Sequence, residues 1–512
     1  MRRISILALL TVLAVTLSAG ADVKPAAFFS DHMVIQQATP VPVWGVADPG
    51  EQITVSLGDS KATATAGADG HWMARLPEQT AGDAPLEMTI AGKNSLTIHD
   101  VLVGEVWVGS GQSNMVFPVS KSHGSYAGLL NEEQEIAAAN YPHIRMFTPR
   151  SVKAYEPQTS VQGQWEVCSP QTVPAWSAVG YLFARNLQKE LKVPVGVVTL
   201  AFGASTAEAW VSREKLASDP LLKPMLDGFD ASEKFYRANP QAPAAQAPPR
   251  PWPMNKTGAR PTRQTDPVQD QHEPTVLFNA MINPAIPYAM RGVIWYQGES
   301  ICGGQAGVDL YPHVQAALIQ DWRARWGEGD FPFFIVQLPG QKNLSNNPLV
   351  REGQAAVLSL PNTEMAVTID IGEANNVHPH NKEPLGDRLT RIALAKTYGR
   401  DIEYSGPRYE SMTIEGSAVR IKFSHLGGGL VAKGGALKWF QIAGADQKFV
   451  DADAQIDGDT IRVTAASVPS PQAVRYAWDD FPDGCNLYNA ADLPAAPFRT
   501  DHWDYPLVGI VN

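Results

Sequence analysis

The sequence predicts an α/β protein. A central domain built on a parallel sheet covered by helices is preceded by a small β-sandwich and followed by a β-rich region. Three observations predict it. Val101 to Val108, Val195 to Ala201 and Gly292 to Tyr296 are nearly continuous apolar runs, as strands buried on both faces are. Ser177 to Leu191 carries Val179, Leu182, Phe183, Leu187 and Leu191 at helical spacing between two of those runs. On either side of this alternation the chain shows only short strand-like segments separated by turn signals.

Taken in order, residues 1–21 have the layout of an export signal. Arg2 and Arg3 precede an apolar run from Ile4 to Leu17, and Ala19-Gly20-Ala21 supplies small residues for cleavage. No later stretch holds about 18 uninterrupted apolar residues, so no membrane span is expected after cleavage. Residues 22–100 form the expected sandwich: Met33-Val34-Ile35, Val41 to Val46, Ile53-Thr54-Val55, Trp72 to Leu76 and Met88-Thr89-Ile90 are divided by Asp48-Pro49-Gly50 and Asp69-Gly70. Residues 101–403 form the sheet domain, with further strands at Phe331 to Leu338 and Met365 to Ile369 and helices around Tyr311 to Trp326 and Val350 to Leu358. A Pro-rich surface excursion interrupts it at about 240–274. Residues 404–512 return to strands: Val419 to Phe423, Trp439 to Ile442, Ile461-Arg462-Val463 and Val474 to Trp478, with Asp457-Gly458 as a hairpin turn.

Composition removes several function classes. Lys and Arg number 41 against 52 Asp and Glu, for a net charge of −11, and no basic block is present, so nucleic acid is not an expected partner. Three cysteines, Cys168, Cys302 and Cys485, make neither a disulfide framework nor a Cys-rich zinc site; one disulfide with one free thiol remains open. His378 with His380 lacks a third partner at ligand spacing, and the stretch from Asp451 departs from a calcium loop at Ile456 and Arg462, so no metal is expected. The 13 Trp suit either core packing or sugar-stacking surfaces.

In a parallel sheet, ligands sit beyond the carboxyl ends of the strands. Four such ends carry polar or Gly-rich groups. Gly111-Gln112-Ser113-Asn114-Met115 offers a hydroxyl at a strand-to-helix turn, although a Ser-Asn pair there also suits an N-cap. Phe202-Gly203-Ala204-Ser205 offers close backbone approach. Trp295-Tyr296-Gln297-Gly298-Glu299-Ser300 offers an amide donor and a carboxylate. Asn375-Asn376-Val377-His378-Pro379 offers a candidate base.

The Gly-Gln-Ser-Asn-Met and Trp-Tyr-Gln-Gly-Glu-Ser stretches, with His378-Pro379, Lys382 and Gly386-Asp387-Arg388-Leu389, resemble the sialate O-acetylesterase family of the SGNH hydrolases. Phe29 to Val34 with Trp44-Gly45, and Asn486 to Asn489 with Leu493-Pro494-Ala495 and Pro497-Phe498-Arg499, extend the resemblance over nearly the whole mature chain, the Pro-rich stretch excepted. The resemblance implies an SGNH-type three-layer α/β/α domain and a cofactor-free serine esterase that removes O-acetyl groups from carbohydrates. Ser113 would be the nucleophile and His378 its base. The Ser113 N–H, the Gly203 N–H and the Gln297 side chain would form the oxyanion hole.

SGNH enzymes commonly orient the histidine with an Asp three residues before it; here that position is Asn375, which can accept a hydrogen bond but brings no charge. Glu299 is the expected substitute as third catalytic residue. Its alternative is a structural ion pair with Arg388, and a Ser-His dyad oriented by a backbone carbonyl is a third arrangement. Trp210, Trp295 and Tyr296 are candidate sugar contacts by position. The expected substrate is an acetylated carbohydrate, of sialate type or of plant cell-wall xylan or xyloglucan. A sugar-binding protein without catalysis is the rival from outside the enzymes. The expected location is periplasmic or secreted, and the oligomeric state is left open.

Overall fold

The computed structural model of the chain describes residues 22–243, 246, 248, 265–301 and 305–503. Residues 1–21, expected to form an export signal, most of the Pro-rich stretch and Cys302 lie outside the described residues. The central sheet has the strand order Trp165–Cys168, Tyr141–Phe147, Val195–Ala201, Ser95–Gly111, Gly292–Tyr296, Phe333–Val336, Thr363–Ala366. All neighbours are parallel except the first pair.

Two tryptophans show why both faces are covered. Trp295 lies beside Ser110 in the register, three residues beyond Trp107 on the neighbouring strand, so the two rings point to opposite faces. Trp107 meets Phe183 of the helix Ala178–Leu191 edge to face at 5.1 Å. Trp295 meets Trp322 of the helix Gln305–Trp326 at 6.0 Å. Ala178–Leu191 packs with Glu383–Lys396, and Gln305–Trp326 packs with Asn347–Ala356, so one helix pair serves each face.

The structure adds elements that the apolar pattern does not announce. The strand Ser60–Thr65 alternates small and polar residues against Gln52–Leu57. The helices Arg213–Ser218 and Lys223–Ala238 precede the Pro-rich stretch, the second burying Met225, Leu226, Phe229 and Ser232 on one face.

The N-terminal strands make a three-stranded sheet and a second group that joins the central sheet through one strand, Ser95–Gly111. The first half of that strand pairs with Gly82–Ala91 and keeps exposed positions, whereas residues 101–111 are buried throughout. The C-terminal region holds two four-stranded sheets and the pair Leu430–Ala432 with Leu487–Asn489. The turn at Asp457-Gly458 joins two strands of the first of these sheets. Arg351, fully buried, ties this region to the sheet domain: it donates to the carbonyls of Leu338 and Pro339 and, across the gap, to those of Asp479 and Asp480 at 2.7–2.9 Å. Cys168 and Cys485 are free, buried thiols, so they do not form the disulfide left open above. No helix among the described residues is long and apolar enough to cross a membrane.

Candidate active site

Three strand ends stop at one level. Ala201 and Tyr296 both lie opposite Gly111 in the register, so Gln112-Ser113, Phe202-Gly203 and Gln297-Gly298-Glu299 emerge side by side. Backbone bonds hold the junction: Gln112 N donates to the Tyr296 carbonyl (2.9 Å) and Phe202 N to the Gly111 carbonyl (3.0 Å). Gly111 has φ +131°, and a Cβ there would collide with the Tyr296 carbonyl, so this turn requires glycine. The Gln112 Oε1 accepts from the N–H groups of Gly298 (3.3 Å) and Ser300 (3.4 Å), drawing the third loop against the first.

Ser113 is the first residue of the short helix Ser113–Val116 and is not its N-cap; Gln112 occupies that position. The capping alternative therefore falls away. The Ser113 Oγ lies 2.8 Å from Nε2 of His378.

His378 is delivered by the loop that follows the strand Thr363–Ala366. Asn376 shapes this loop: its Oδ1 accepts from His378 N (3.0 Å), and its Nδ2 donates to the His378 carbonyl (2.8 Å) and to Glu373 (3.0 Å). Glu373 in turn accepts from the backbone N–H of His380 (2.7 Å) and faces its Nδ1 (2.9 Å). His380 is thereby engaged by Glu373 and not by Ser113. The Tyr126 ring covers the His378 ring at 4.7 Å. Burial, then the neighbouring charges of Lys382 and His380, bring the His378 imidazole down to about 4, so it is neutral and able to accept a proton at neutral pH.

Of the oxyanion candidates, Gly203 adjoins Ser113 and Gln297 emerges from the next strand end. A Cβ placed on Gly203 would stand 3.8 Å from the Ser113 Cβ, which puts the Gly203 backbone against the serine. Gln297 is fully buried; its Nε2 donates to the Ser205 carbonyl (3.2 Å), which leaves one amide hydrogen, and its backbone carbonyl is pinned by Tyr311 (2.9 Å) and Gln354 (3.0 Å).

The orienting candidates fare differently. Asn375 is exposed at the loop turn, and among the described residues no hydrogen bond joins it to the His378 ring. Glu299 does not pair with Arg388, which instead makes two bonds to Asp370 (2.6 and 2.7 Å). Nor does a described hydrogen bond join Glu299 to His378. Its Oε1 accepts from Asn114 Nδ2 at 2.5 Å, and its Oε2 is buried without a partner. Burial raises its carboxyl above the usual range. Asn114 also accepts from Lys382 Nζ at 2.5 Å, and burial lowers that ammonium to about 7. Asn114, Lys382, Tyr126 and Asn376 receive no role from sequence reasoning. Asn114 and Lys382 stand inside the motifs, but their partners lie hundreds of residues away. Trp210, Trp295 and Tyr296 are fully buried and pack in the core, so the expectation that they touch sugar is corrected.

A three-layer sheet domain with a serine–histidine pair at its aligned strand ends is the architecture of an SGNH-like hydrolase. The chain belongs to the sialate O-acetylesterase family of carbohydrate acetylesterases. The family model described as carbohydrate esterase, sialic acid-specific acetylesterase, matches residues 268–395. The chain is 28% identical to the mouse sialate O-acetylesterase over 96% of both chains. It is 27% identical to the human one over 94% of this chain and 93% of that. A solved carbohydrate acetylesterase of Xanthomonas citri is 35% identical, superposes with a TM-score of 0.80 and matches over 94% of this chain and all of its own.

Proposed function

We propose that the protein is a serine esterase that removes O-acetyl groups from carbohydrates. The observation that carries this reading is the 2.8 Å contact between Ser113 Oγ and a neutral His378 Nε2 at the meeting point of three strand ends. Ser113 Oγ gives its proton to His378 as it attacks the acetyl carbonyl carbon. The Ser113 N–H, the Gly203 N–H and the remaining Gln297 amide hydrogen receive the oxyanion. The intermediate collapses as the imidazolium returns that proton to the departing sugar oxygen, and acetyl-Ser113 remains. His378 then takes a proton from water, which attacks the ester; the imidazolium returns that proton to Ser113 Oγ as acetate leaves, and both residues are restored.

The chain divides, in this reading, into a sandwich at 22–100, a hydrolase domain at 101–403 and a β-rich domain at 404–512. Residues 1–21 direct export, which brings the enzyme to acetylated polysaccharide or glycan outside the cytoplasm.

The test is acetate release from O-acetyl sialic acid, acetylated xylan and acetylated xyloglucan, assayed side by side. Release from at least one supports the reading and names the sugar. Binding without release from any of them would leave the non-catalytic alternative.

A further inference from the structure

Asn114 follows Ser113 directly and has no exposed surface. Its side chain joins four segments. Nδ2 donates to Glu299 Oε1 (2.5 Å) and to the carbonyl of Val377 (2.9 Å), the residue before His378. Oδ1 accepts from Lys382 Nζ (2.5 Å).

The placement of Lys382 needs explanation. It is 1% exposed and stands at the N-terminus of the helix Glu383–Lys396, where the helix dipole opposes a cation. A buried ammonium is costly unless it is compensated. Its compensation is the Asn114 carbonyl, the faces of Phe117 (4.9 Å) and Tyr296 (5.0 Å), and the carboxylate beyond the amide.

An asparagine amide has two orientations of nearly the same shape. Here the flanking charges allow only one. Turning the amide over would set its NH2 against the Lys382 ammonium and its carbonyl against Glu299. The charged pair therefore fixes a donor on the Val377 carbonyl.

We propose that Asn114 is a positioning residue for acyl transfer, locked by Lys382 on one side and Glu299 on the other, and that it aims His378 by holding the Val377 carbonyl. Glu299 then serves the reaction through this amide and not by touching the imidazole. The proposal rests on the Ser113–His378 reading above.

Two variants test it. Asn114→Asp keeps the shape but presents an acceptor to Val377 and Glu299; kcat should fall about 100-fold with KM changed by less than about threefold, the cost of a misaimed base. Lys382→Gln keeps a donor for Asn114 but removes the charge. The groups facing His378 are Ser113, Tyr126, Lys382 and His380, with Glu373 behind His380 and Glu299 behind Asn114. Loss of the Lys382 cation from this set should move the acid limb of kcat/KM upward by about one pH unit. A residue that only supports the fold would lower activity at every pH and leave the limb in place.

Melting curves establish that each variant is folded, and where one does not fold the other decides. A folded Asn114→Asp enzyme with kcat within about threefold of the parent, or a Lys382→Gln enzyme with the parental limb, overturns the proposal. Parental activity in Ser113→Ala would instead overturn the underlying reading.

Discussion

Arg388 binds Asp370 through two hydrogen bonds, of 2.7 and 2.6 Å, and Asp370 also accepts the hydroxyl of Tyr488 from the C-terminal region at 2.9 Å. Both members of the ion pair are largely withdrawn from water. Removing one leaves the other buried and uncompensated, so Arg388→Met should destabilise the protein by about 3–5 kcal/mol. Urea unfolding measures this, and a loss below about 1 kcal/mol would place the pair among weak surface contacts.

Because Arg388 is committed to Asp370, Glu299→Gln breaks no ion pair with it. This variant should melt close to the parent, yet lose at least about tenfold in kcat with little change in KM, since it weakens the lock on Asn114. Asn375→Ala, at an exposed position, should cost less than about threefold. Steady-state kinetics with parallel melting distinguish the two, and the reverse ranking would return the orienting role to Asn375.

The pH profile follows from His378. The imidazole must be neutral to accept the Ser113 proton, and burial, with Lys382 and His380 beside it, brings it down to about 4. Activity is lost as pH falls through that value, so the acid limb of kcat/KM should lie near pH 4 and not near the ordinary histidine value of about 6.5. Tyr126→Ala uncovers the ring to water and should move the limb upward. A parental limb near the ordinary value would mean that the imidazole is more hydrated than the structure shows.

Two glycines beside Ser113 should respond differently to alanine. At Gly203 the added methyl meets only the Ser113 Cβ at 3.8 Å, an ordinary contact. Gly203→Ala should therefore fold normally and lose activity, because the methyl occupies space beside the acyl group. Gly111→Ala combines a positive φ with a collision at the Tyr296 carbonyl and should cost about 3 kcal/mol or more. Thermal melts and esterase assays on both proteins check the contrast.

Much of this arrangement is legible in the chain. Val195–Ala201 and Gly292–Tyr296 are observed with the bounds that their apolar runs give. Beyond their ends stand Gly203 and Gln297, on the strands that flank the one leading to Ser113. The change of pattern near residue 100 reports a change of surroundings and not a break in the strand: Ser95–Gly111 passes from a half-exposed module into a sheet covered on both faces. Trp295 and Tyr296 follow the same logic, since aromatics within a doubly covered strand are core. Asn114 and Lys382 were not legible as partners. A buried lysine announces itself only when the fold brings its acceptor from 268 positions away.

In the proposed reaction Ser113 carries the acetyl group. The most direct measurement is kcat/KM of Ser113→Ala on a chromogenic acetate ester, with a melting curve of the same sample. Activity should fall at least about 10³-fold with the parental melting temperature, because only the oxyanion hole and binding would remain. A folded Ser113→Ala protein within about tenfold of the parent would contradict it.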